Sequence, residues 1–264
     1  MVDKPWGMDR LPAPFATPDG RRIGEIWFEP PASLPELLVK YIFASDKLSV
    51  QVHPNDAQTL AKGLGRQGKE ECWLVIATEP GARLGIGFRQ AINAPAMRAA
   101  ALDGSIEDLL VWHPVVPGDF FYIPANTVHA IGAGVSVIEI QQNSDITYRL
   151  YDYGRPRALH LDDGLAVALG QVYDLARWHR HLPAGGTVRL VDGPCFRLDR
   201  VQGAPDAATL ARFGGNPLLL VPVAGQAAVA GEAVAPGACA LVSDGAQITA
   251  EADALLLLAQ AIRV

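Results

Sequence analysis

The sequence predicts an all-β protein made of two halves of similar design. Short segments with alternating polar and apolar residues recur along most of the chain, and turns containing Gly and Pro separate them. Because successive side chains of a strand point to opposite faces, this period of two is typical of strands. The chain has 264 residues and is 50% hydrophobic, so it is long enough for one large or two small β domains with a substantial core.

The first half contains the clearest strand patterns. Residues 1–22 are rich in Pro and Gly and predict a loop or an arm packed on the body of the protein. Asn55 or Asp56 fits the N-cap of a short helix, Ala57–Lys62, which Gly63 would end. Around this helix we expect the strands Ile23–Phe28, Leu37–Phe43, Leu48–His53, Glu70–Ala77, Gly81–Phe88, Trp112–Val116, Phe120–Ile123, Val135–Gln142 and Thr147–Tyr153.

Two segments interrupt this β pattern. Residues 92–110 are rich in Ala, with Pro95 in the first turn of a helix and Ser105 as the cap of a second turn. We therefore expect a small helical insertion at this point. Leu159–Trp178 has the periodicity of a helix and is expected to link the two halves.

The second half returns to short apolar strands. They are expected at Thr187–Val191, Phe196–Val201, Leu218–Val223, Ala227–Val229, Ala238–Val242 and Ala254–Ala259. His, Glu and Asp are sparse here and show no ligand spacing, which indicates a structural role. We therefore predict a site-bearing domain at residues 1–157, and a linking helix with a second, degenerate β domain at residues 158–264.

Composition and charge exclude several functions. A net charge of −6 argues against a general nucleic-acid surface, and no apolar run approaches the ~20 residues of a membrane span. The N-terminal residues lack the apolar stretch of a signal peptide. Cys72, Cys195 and Cys239 are scattered, without a Cys-x-x-Cys pair, as in reduced cytosolic proteins. We expect a cytoplasmic protein that binds neither nucleic acid nor membranes; the sequence leaves its oligomeric state open.

Polar residues alternate along the predicted strand Leu48–His53. Ser49, Gln51 and His53 share one of its faces. Buried polar groups need partners, so three of them on a face that points into a core would indicate a site. The alternative is that they face water while Val50 and Val52 face the core.

A second strand repeats the arrangement, because Lys69, Glu71 and Trp73 share one face. His129 follows a further strand and a turn. Together with the strand Leu48–His53, these segments offer one amide, two imidazoles and one carboxylate. This ligand set suits a borderline divalent metal. A single His on a strand is more often structural, so the hypothesis depends on the combination.

Two more strands carry candidates for chemistry on a substrate. Glu139 lies on the predicted strand Val135–Gln142, and Arg149 lies on Thr147–Tyr153. A glutamate in a partly dry pocket could carry a proton, and an arginine could bind a phosphate or a developing oxyanion. On spacing alone, a salt bridge between the two strands is an equal alternative.

Several motifs together resemble one known family. They are Lys-Pro-Trp-Gly at 4–7, Gln-Val-His-Pro at 51–54, Gly-Lys-Glu-Glu-Cys-Trp at 68–73, Ile-Pro-Ala-Asn-Thr-Val-His-Ala-Ile-Gly at 123–132 and Tyr-Arg-Leu-Tyr-Asp-Tyr-Gly-Arg at 148–155. In this order they resemble type I mannose-6-phosphate isomerase of the short bacterial kind, a family of cupins. The resemblance is dense from residue 1 to about residue 157 and weak afterwards.

The resemblance implies a fold and a metal. The fold would be two cupin-like β-barrels, each a double-stranded β-helix, with the small helical insertion and the linking helix. One Zn²⁺ per chain, or another divalent metal, would be held by Gln51, His53, Glu71 and His129. The family's carboxylate ligand directly precedes Cys-Trp, which selects Glu71 over Glu70.

The resemblance also implies a reaction, the interconversion of mannose 6-phosphate and fructose 6-phosphate through an enediolate. Lys69, Glu139 and Arg149 match positions that the family uses around the substrate, and Ser49 lies where a hydroxyl approaches the sugar phosphate. Glu139 is our candidate for moving the proton, with a histidine or a metal-bound hydroxide as alternatives. Lys69 or Arg149 would bind the phosphate or the oxyanion. A metal-dependent cupin oxygenase and a non-catalytic cupin that binds sugar phosphates remain alternative functions.

Overall fold

The computed structural model describes residues 1–262, which form two compact units. One unit comprises Met1–Leu11, Thr17–Trp27 and Lys40–Arg180. The other comprises Pro12–Ala16, Phe28–Val39 and the chain from His181 onward. The first unit thus extends past residue 157, and the division of roles between the two predicted domains stays a prediction. None of the helices within residues 1–262 has the length and apolar character needed to cross a bilayer.

The first twelve strands form two sheets. They are β1 (Val2–Met8), β2 (Ile23–Phe28), β3 (Leu37–Ala44), β4 (Val50–Val52), β5 (Glu71–Thr78), β6 (Arg83–Phe88), β7 (Leu110–Pro114), β8 (Asp119–Ile123), β9 (His129–Ile131), β10 (Val135–Gln142), β11 (Tyr148–Tyr151) and β12 (His179–His181). One sheet has the order β1-β2-β3-β10-β5-β8-β12, and the other has the order β11-β4-β9-β6-β7. The predicted all-β class is confirmed.

Apolar side chains fill the space between these two sheets. Trp73, Val75 and Val137 of the seven-stranded sheet belong to the same buried cluster as Leu84 and Ile86 of the five-stranded sheet. These five side chains are essentially inaccessible to solvent. Burial of each large apolar side chain contributes about 1.5–3 kcal/mol, so this cluster holds the two sheets together.

The opposite face of the five-stranded sheet is covered by helices. Val50 and Val52 of β4 pack in one cluster with Met97 and Val167, which lie on α2 (Ala94–Asp103) and α4 (Leu161–Val167). The alternation of β4 therefore directs the neighbouring polar side chains toward the seven-stranded sheet. The alternative of a solvent-facing polar stripe is wrong.

Two of the short helices begin at asparagine caps. The Asn55 side chain accepts a hydrogen bond from Gln58 N and caps α1 (Asp56–Ala61), as expected. Asn93 caps α2, which ends at Gly104 in the left-handed region, and α3 (Ile106–Leu109) completes the helical insertion predicted at residues 92–110. Ser105 precedes α3 but makes no capping hydrogen bond, so its predicted role as a cap is wrong.

Two predictions of local structure are refined. Within the segment 1–22, Val2–Met8 is β1, which pairs with β2 at the edge of the seven-stranded sheet, so this part agrees with the expected arm and not with the loop. The stretch Leu159–Trp178 contains two short helices, α4 and α5 (Leu175–Trp178), separated by an irregular segment in which Leu169 forms a β-bridge with Thr127. These features depend on pairing with distant residues, which local periodicity does not report.

The second unit contains the remaining two sheets. Its elements are β13 (Val188–Asp192), β14 (Phe196–Gln202), α6 (Ala207–Phe213), β15 (Leu218–Ala224), β16 (Ala227–Val229), β17 (Glu232–Val234), β18 (Ala240–Val242), a 3₁₀ turn (Gly245–Gln247), β19 (Ile248–Ala250) and β20 (Leu255–Ala261). The sheets have the orders β13-β14-β20-β15-β18 and β17-β16-β19. Leu220 and Leu256 of the larger sheet share a buried cluster with Ala227 and Ile248 of the smaller one.

Candidate metal centre and active site

Strand register brings three of the predicted residues into one row. In the five-stranded sheet, β4 lies between β11 and β9. Gln51 is opposite Arg149 on one side and opposite His129 on the other. Directly opposite residues on neighbouring strands have side chains within contact distance. The Gln51 amide lies 3.3 Å from His129 Nε2 and also accepts a hydrogen bond from Ser49 Oγ at 3.1 Å.

Glu71 reaches this row from the other sheet. It is the first residue of β5, and its carboxylate is fully buried. Glu71 Oε1 lies 3.2 Å from His129 Nε2, and Glu71 Oε2 lies 3.7 Å from His53 Nε2. One ligand atom from each of these three residues lies within 4.8 Å of the others, an arrangement that could hold a metal ion.

Both imidazoles are oriented by the backbone. His53 Nδ1 lies 2.8 Å from Ile146 O, and His129 Nδ1 lies 2.9 Å from Thr127 O. A carbonyl only accepts, so each ring carries its proton on Nδ1 and directs the lone pair of Nε2 to the centre. Burial lowers the pKa of His129 to about 4 and that of His53 well below its usual range, which keeps both rings neutral.

The donor atoms at this centre fit a bound cation. Glu71 Oε1 is buried and has no hydrogen-bond partner within the described chain. Burial raises the pKa of Glu71 to about 7, although Lys69 opposes this effect. An unpartnered buried acceptor costs about 1–3 kcal/mol, and two neutral imidazoles add no positive charge to offset it. A divalent cation would satisfy the carboxylate and both Nε2 lone pairs.

A network of lysines and carboxylates adjoins this centre. Lys69 Nζ donates to Glu71 Oε2 at 2.5 Å and lies 3.8 Å from Glu139 Oε1. Lys40 Nζ lies 3.3 Å from the same Glu139 oxygen and donates to Gln141 Oε1 at 2.6 Å. All these side chains are buried. The two ammonium groups are therefore compensated by two carboxylates within the protein.

Glu139 is held as a carboxylate. Trp73, its cross-strand neighbour, donates from Nε1 to Glu139 Oε2 at 2.9 Å. Burial opposes ionisation, but the ammonium groups of Lys69 and Lys40 outweigh it and lower the pKa of Glu139 to about 2. The alternative Glu139–Arg149 salt bridge does not form among the described residues, since the partners of Glu139 are these lysines.

A cavity of about 380 Å³ opens beside the centre. All of the predicted substrate residues line it, namely Ser49, Lys69, Glu139 and Arg149. Of the four predicted metal ligands, Gln51 lines the cavity, whereas His53, Glu71 and His129 lie behind it, next to Lys69 and Gln51. The structure thus brings every predicted site residue to this cavity or to the centre adjoining it.

Several cavity residues are absent from the sequence-based set. Lys40 could have been found, because it is the one charged residue of the otherwise apolar strand β3. Arg157 and His160 could not, because they reach the cavity through a loop that returns to β11. Lys4 and Trp27 line the cavity from β1 and β2, so the N-terminal segment contributes to the site.

Comparisons with known proteins support the motif-based resemblance. No family model matches the chain. Mannose-6-phosphate isomerase of Streptococcus mutans is 38% identical over 185 residues, which are 67% of this chain and 58% of that protein. Mannose-6-phosphate isomerase ManA of Bacillus subtilis is 44% identical over 137 residues, which are 50% of this chain and 43% of that protein. In sequence, the chain spans only about half the length of the curated relatives it matches.

Solved structures extend the similarity of fold to nearly the whole chain. The mannose 6-phosphate isomerase from Bacillus subtilis superposes with a TM-score of 0.77 at 22% identity, over 98% of this chain and 96% of that one. A variant of phosphomannose isomerase from Salmonella typhimurium gives a TM-score of 0.74 at 15% identity, over 99% and 97%. The predicted resemblance and the cupin-type β architecture are confirmed.

Proposed function

We propose that the chain is a metal-dependent aldose–ketose isomerase that interconverts mannose 6-phosphate and fructose 6-phosphate through an enediolate. The observation that carries this proposal is the meeting of His53, Glu71 and His129, with Gln51 beside them, behind a polar cavity. The relatives that match part of the chain bear the name of this activity. A sugar phosphate is the corresponding substrate class.

Gln51, His53, Glu71 and His129 would hold the metal, and Zn²⁺ fits their nitrogen and oxygen donors. The Gln51 amide can turn its oxygen to the centre by rotation about its last side-chain bond. A bound divalent cation would act as a Lewis acid for negative charge that develops on the sugar oxygens. The remaining steps fall to side chains that line the cavity.

Arg149 is our candidate for the phosphate, in preference to Lys69. Lys69 is 4% exposed, and its ammonium group is already engaged by Glu71, His53 and Glu139. Arg149 donates from Nε to Ala158 O at 3.3 Å and makes no ion pair with a carboxylate of the described chain. Its remaining N–H groups are available for the paired contacts that a guanidinium makes with phosphate oxygens.

Glu139 is our candidate for moving the proton between the two carbons. Glu139 is unprotonated, as a proton acceptor must be, and its side chain lines the cavity. Lys40 and Lys69 make it a weak base, and the same ammonium groups would stabilise an enediolate beside it. His160 accepts a hydrogen bond from Arg149 N on Nδ1, which leaves its other nitrogen as a donor. His160 therefore suits a hydrogen bond to a substrate oxygen better than proton abstraction.

A coupled isomerase assay tests the proposal. Purified protein is supplied with mannose 6-phosphate, other aldose phosphates and free mannose, before and after treatment with a chelator. We expect turnover of mannose 6-phosphate that chelation abolishes and added Zn²⁺ restores. Binding of sugar phosphate without turnover would favour the non-catalytic alternative, and oxygen uptake would favour the oxygenase. The expected cytoplasmic location stays a prediction.

A further inference from the structure

Asn126 lies in the turn between β8 and β9, in a backbone conformation that favours glycine. Its φ is 72°, in the left-handed region. Glycine adopts this region without steric cost, and asparagine is one of the few other residues that tolerate it. Asn126 is also only 7% exposed, so its amide is removed from water. A buried amide at a position that suits glycine indicates that the side chain itself has a role.

The amide of Asn126 is fully engaged in hydrogen bonds. Its Nδ2 carries two N–H groups and donates to His53 O at 3.2 Å and to Gln58 Oε1 at 2.7 Å. Its Oδ1 accepts from Asn55 Nδ2 at 3.3 Å. The backbone N–H of Asn126 also donates to His53 O, at 2.8 Å. Two donors of one residue therefore converge on the carbonyl of His53 and fix the backbone of this ligand.

The same turn orients the second ligand histidine. Thr127 follows Asn126, and its carbonyl accepts the hydrogen bond from His129 Nδ1 at 2.9 Å. Within the turn, Thr127 N donates to Pro124 O at 3.1 Å, and Leu169 N donates to Asn126 O at 2.9 Å. The position of the Thr127 carbonyl, and with it the direction of the His129 ring, consequently depends on the turn that Asn126 anchors.

The first turn of α1 is the anchor on the other side of Asn126. Asn55 and Gln58 form its capping box, in which Gln58 Oε1 accepts from Asn55 N at 2.9 Å as well as from Asn126 Nδ2. Asp56 Oδ1 of the same turn accepts from Gly68 N at 2.7 Å, in the segment that leads into β5. Hydrogen bonds from this turn therefore reach the segments next to β4, β5 and β9, which are the segments that carry the three ligands.

We propose that Asn126 is a positioning residue for the metal centre, because its side chain links the backbone of His53 to the turn before His129. This inference rests on the proposed function and deepens it, since it extends the metal centre from the ligands to a residue that sets their spacing. Asn126 does not line the cavity, so it acts on the substrate only through the ligands. Residues that orient metal ligands typically contribute about 10- to 100-fold to metal affinity.

Metal binding by four variants tests this role. Asn126→Gly removes the side chain, keeps the backbone conformation and leaves the backbone N–H that donates to His53 O. Gln58→Ala removes one acceptor of the Asn126 amide, whereas Gln58→Glu keeps it. Asn93→Ala is the matched control, because the Asn93 side chain also makes a buried-fold contact as the cap of α2 and does not line the cavity.

Two quantities are measured on each variant. The dissociation constant for Zn²⁺ is obtained by competition with a chromophoric chelator, and the visible spectrum of the Co²⁺ form reports the coordination geometry. We expect Asn126→Gly to raise the dissociation constant about 10-fold and to change the Co²⁺ spectrum. Gln58→Ala should raise the constant less, and Gln58→Glu should restore the wild-type value. Asn93→Ala should lower Tm without changing either quantity, since loss of a helix cap acts on the fold alone.

A dissociation constant for Asn126→Gly equal to those of the wild type and of Asn93→Ala would overturn the positioning role and leave the isomerase proposal intact. If Asn126→Gly did not fold, an unchanged constant in Gln58→Ala would overturn the role in the same way. A wild-type protein that binds metal but turns over no sugar phosphate would contradict the proposed function alone, because the dissociation constants still decide the role of Asn126. A wild-type protein that binds no divalent metal would contradict both.

Discussion

Glu71 Oε1 lies 3.2 Å from His129 Nε2, although Glu71 belongs to the seven-stranded sheet and His129 to the five-stranded sheet. The proposed metal would therefore join two sheets that are otherwise held by their apolar core. A ligand that binds only the folded state raises the free energy of unfolding by RT ln(1 + [L]/Kd). A metal bound there would consequently have a structural as well as a chemical effect.

Metal removal should lower thermal stability. At a free metal concentration of 100 times the dissociation constant, binding contributes about 2.7 kcal/mol, equivalent to a Tm shift of about 5–10 °C for a chain of this size. The measurement is thermal unfolding with chelator and after addition of Zn²⁺. In a His53→Ala variant the metal-dependent shift should vanish. An equal shift in that variant would mean that the metal acts elsewhere.

Replacing Arg149 with Ala should affect turnover far more than metal content. The Arg149 side chain lines the cavity and is not among the proposed metal ligands, although Arg149 lies opposite Gln51 in the sheet. We expect kcat/KM for mannose 6-phosphate to fall about 100-fold or more, with unchanged metal stoichiometry. Kinetics and elemental analysis of the same preparation measure both quantities. Equal loss of metal and activity would count against a substrate role.

Glu139→Gln removes the candidate proton carrier and also leaves Lys40 and Lys69 with less compensation. We expect kcat to fall by a factor of about 100 or more, and Tm to fall because a buried charge has lost its partner. Glu139→Asp is the matched variant, since it keeps the charge and withdraws it by one methylene group. It should recover Tm without recovering kcat. Recovery of both would show that Glu139 only balances charge.

Gly68 is expected to be essential for the position of Lys69. A Cβ at Gly68 would lie 2.4 Å from Pro54 O and from the carbonyl carbon of Asn55, and backbone atoms cannot move aside easily. Pro54 O also accepts the hydrogen bond from Lys69 N at 2.9 Å. Gly68→Ala should therefore destabilise the protein by about 1–3 kcal/mol and lower activity.

Denaturant unfolding and the isomerase assay check the prediction for Gly68. Leu64→Ala serves as the control, because Leu64 lies in the same loop with 51% of its surface exposed. The Leu64→Ala substitution should change neither the stability nor the isomerase activity. A Gly68→Ala protein with wild-type stability and activity would contradict the account of this turn.

Alternation along strands was sufficient to predict that Gln51 and His53, two of the proposed metal ligands, point in the same direction. The period of two placed Gln51 and His53 on one face, and the structure shows that this face is directed away from the helix-packed face of Val50 and Val52. The prediction succeeds here because the apolar side chains on one face of the strand pack against the helices. This packing fixes the direction in which the alternate, polar side chains point.

Features that depend on tertiary pairing were not predictable in the same way. β1 is rich in neither β-branched nor alternating residues, and it is a strand because β2 supplies its hydrogen-bond partner. Arg157 reaches the cavity only because its loop returns to β11. By contrast, α6 was not predicted although its start and stop signals are present in the sequence. Asp206 caps its first turn, and Gly214 follows its last residue in the left-handed region.

The most direct test of the account is the metal content of the purified wild-type protein and of His129→Ala, measured by elemental analysis alongside isomerase activity. His181→Ala, at an exposed histidine that does not line the cavity, is the matched control. We expect about one divalent metal ion per chain in the wild type and in His181→Ala. We expect neither metal nor measurable activity in a folded His129→Ala protein. Full isomerase activity in a metal-free His129→Ala protein would contradict this expectation.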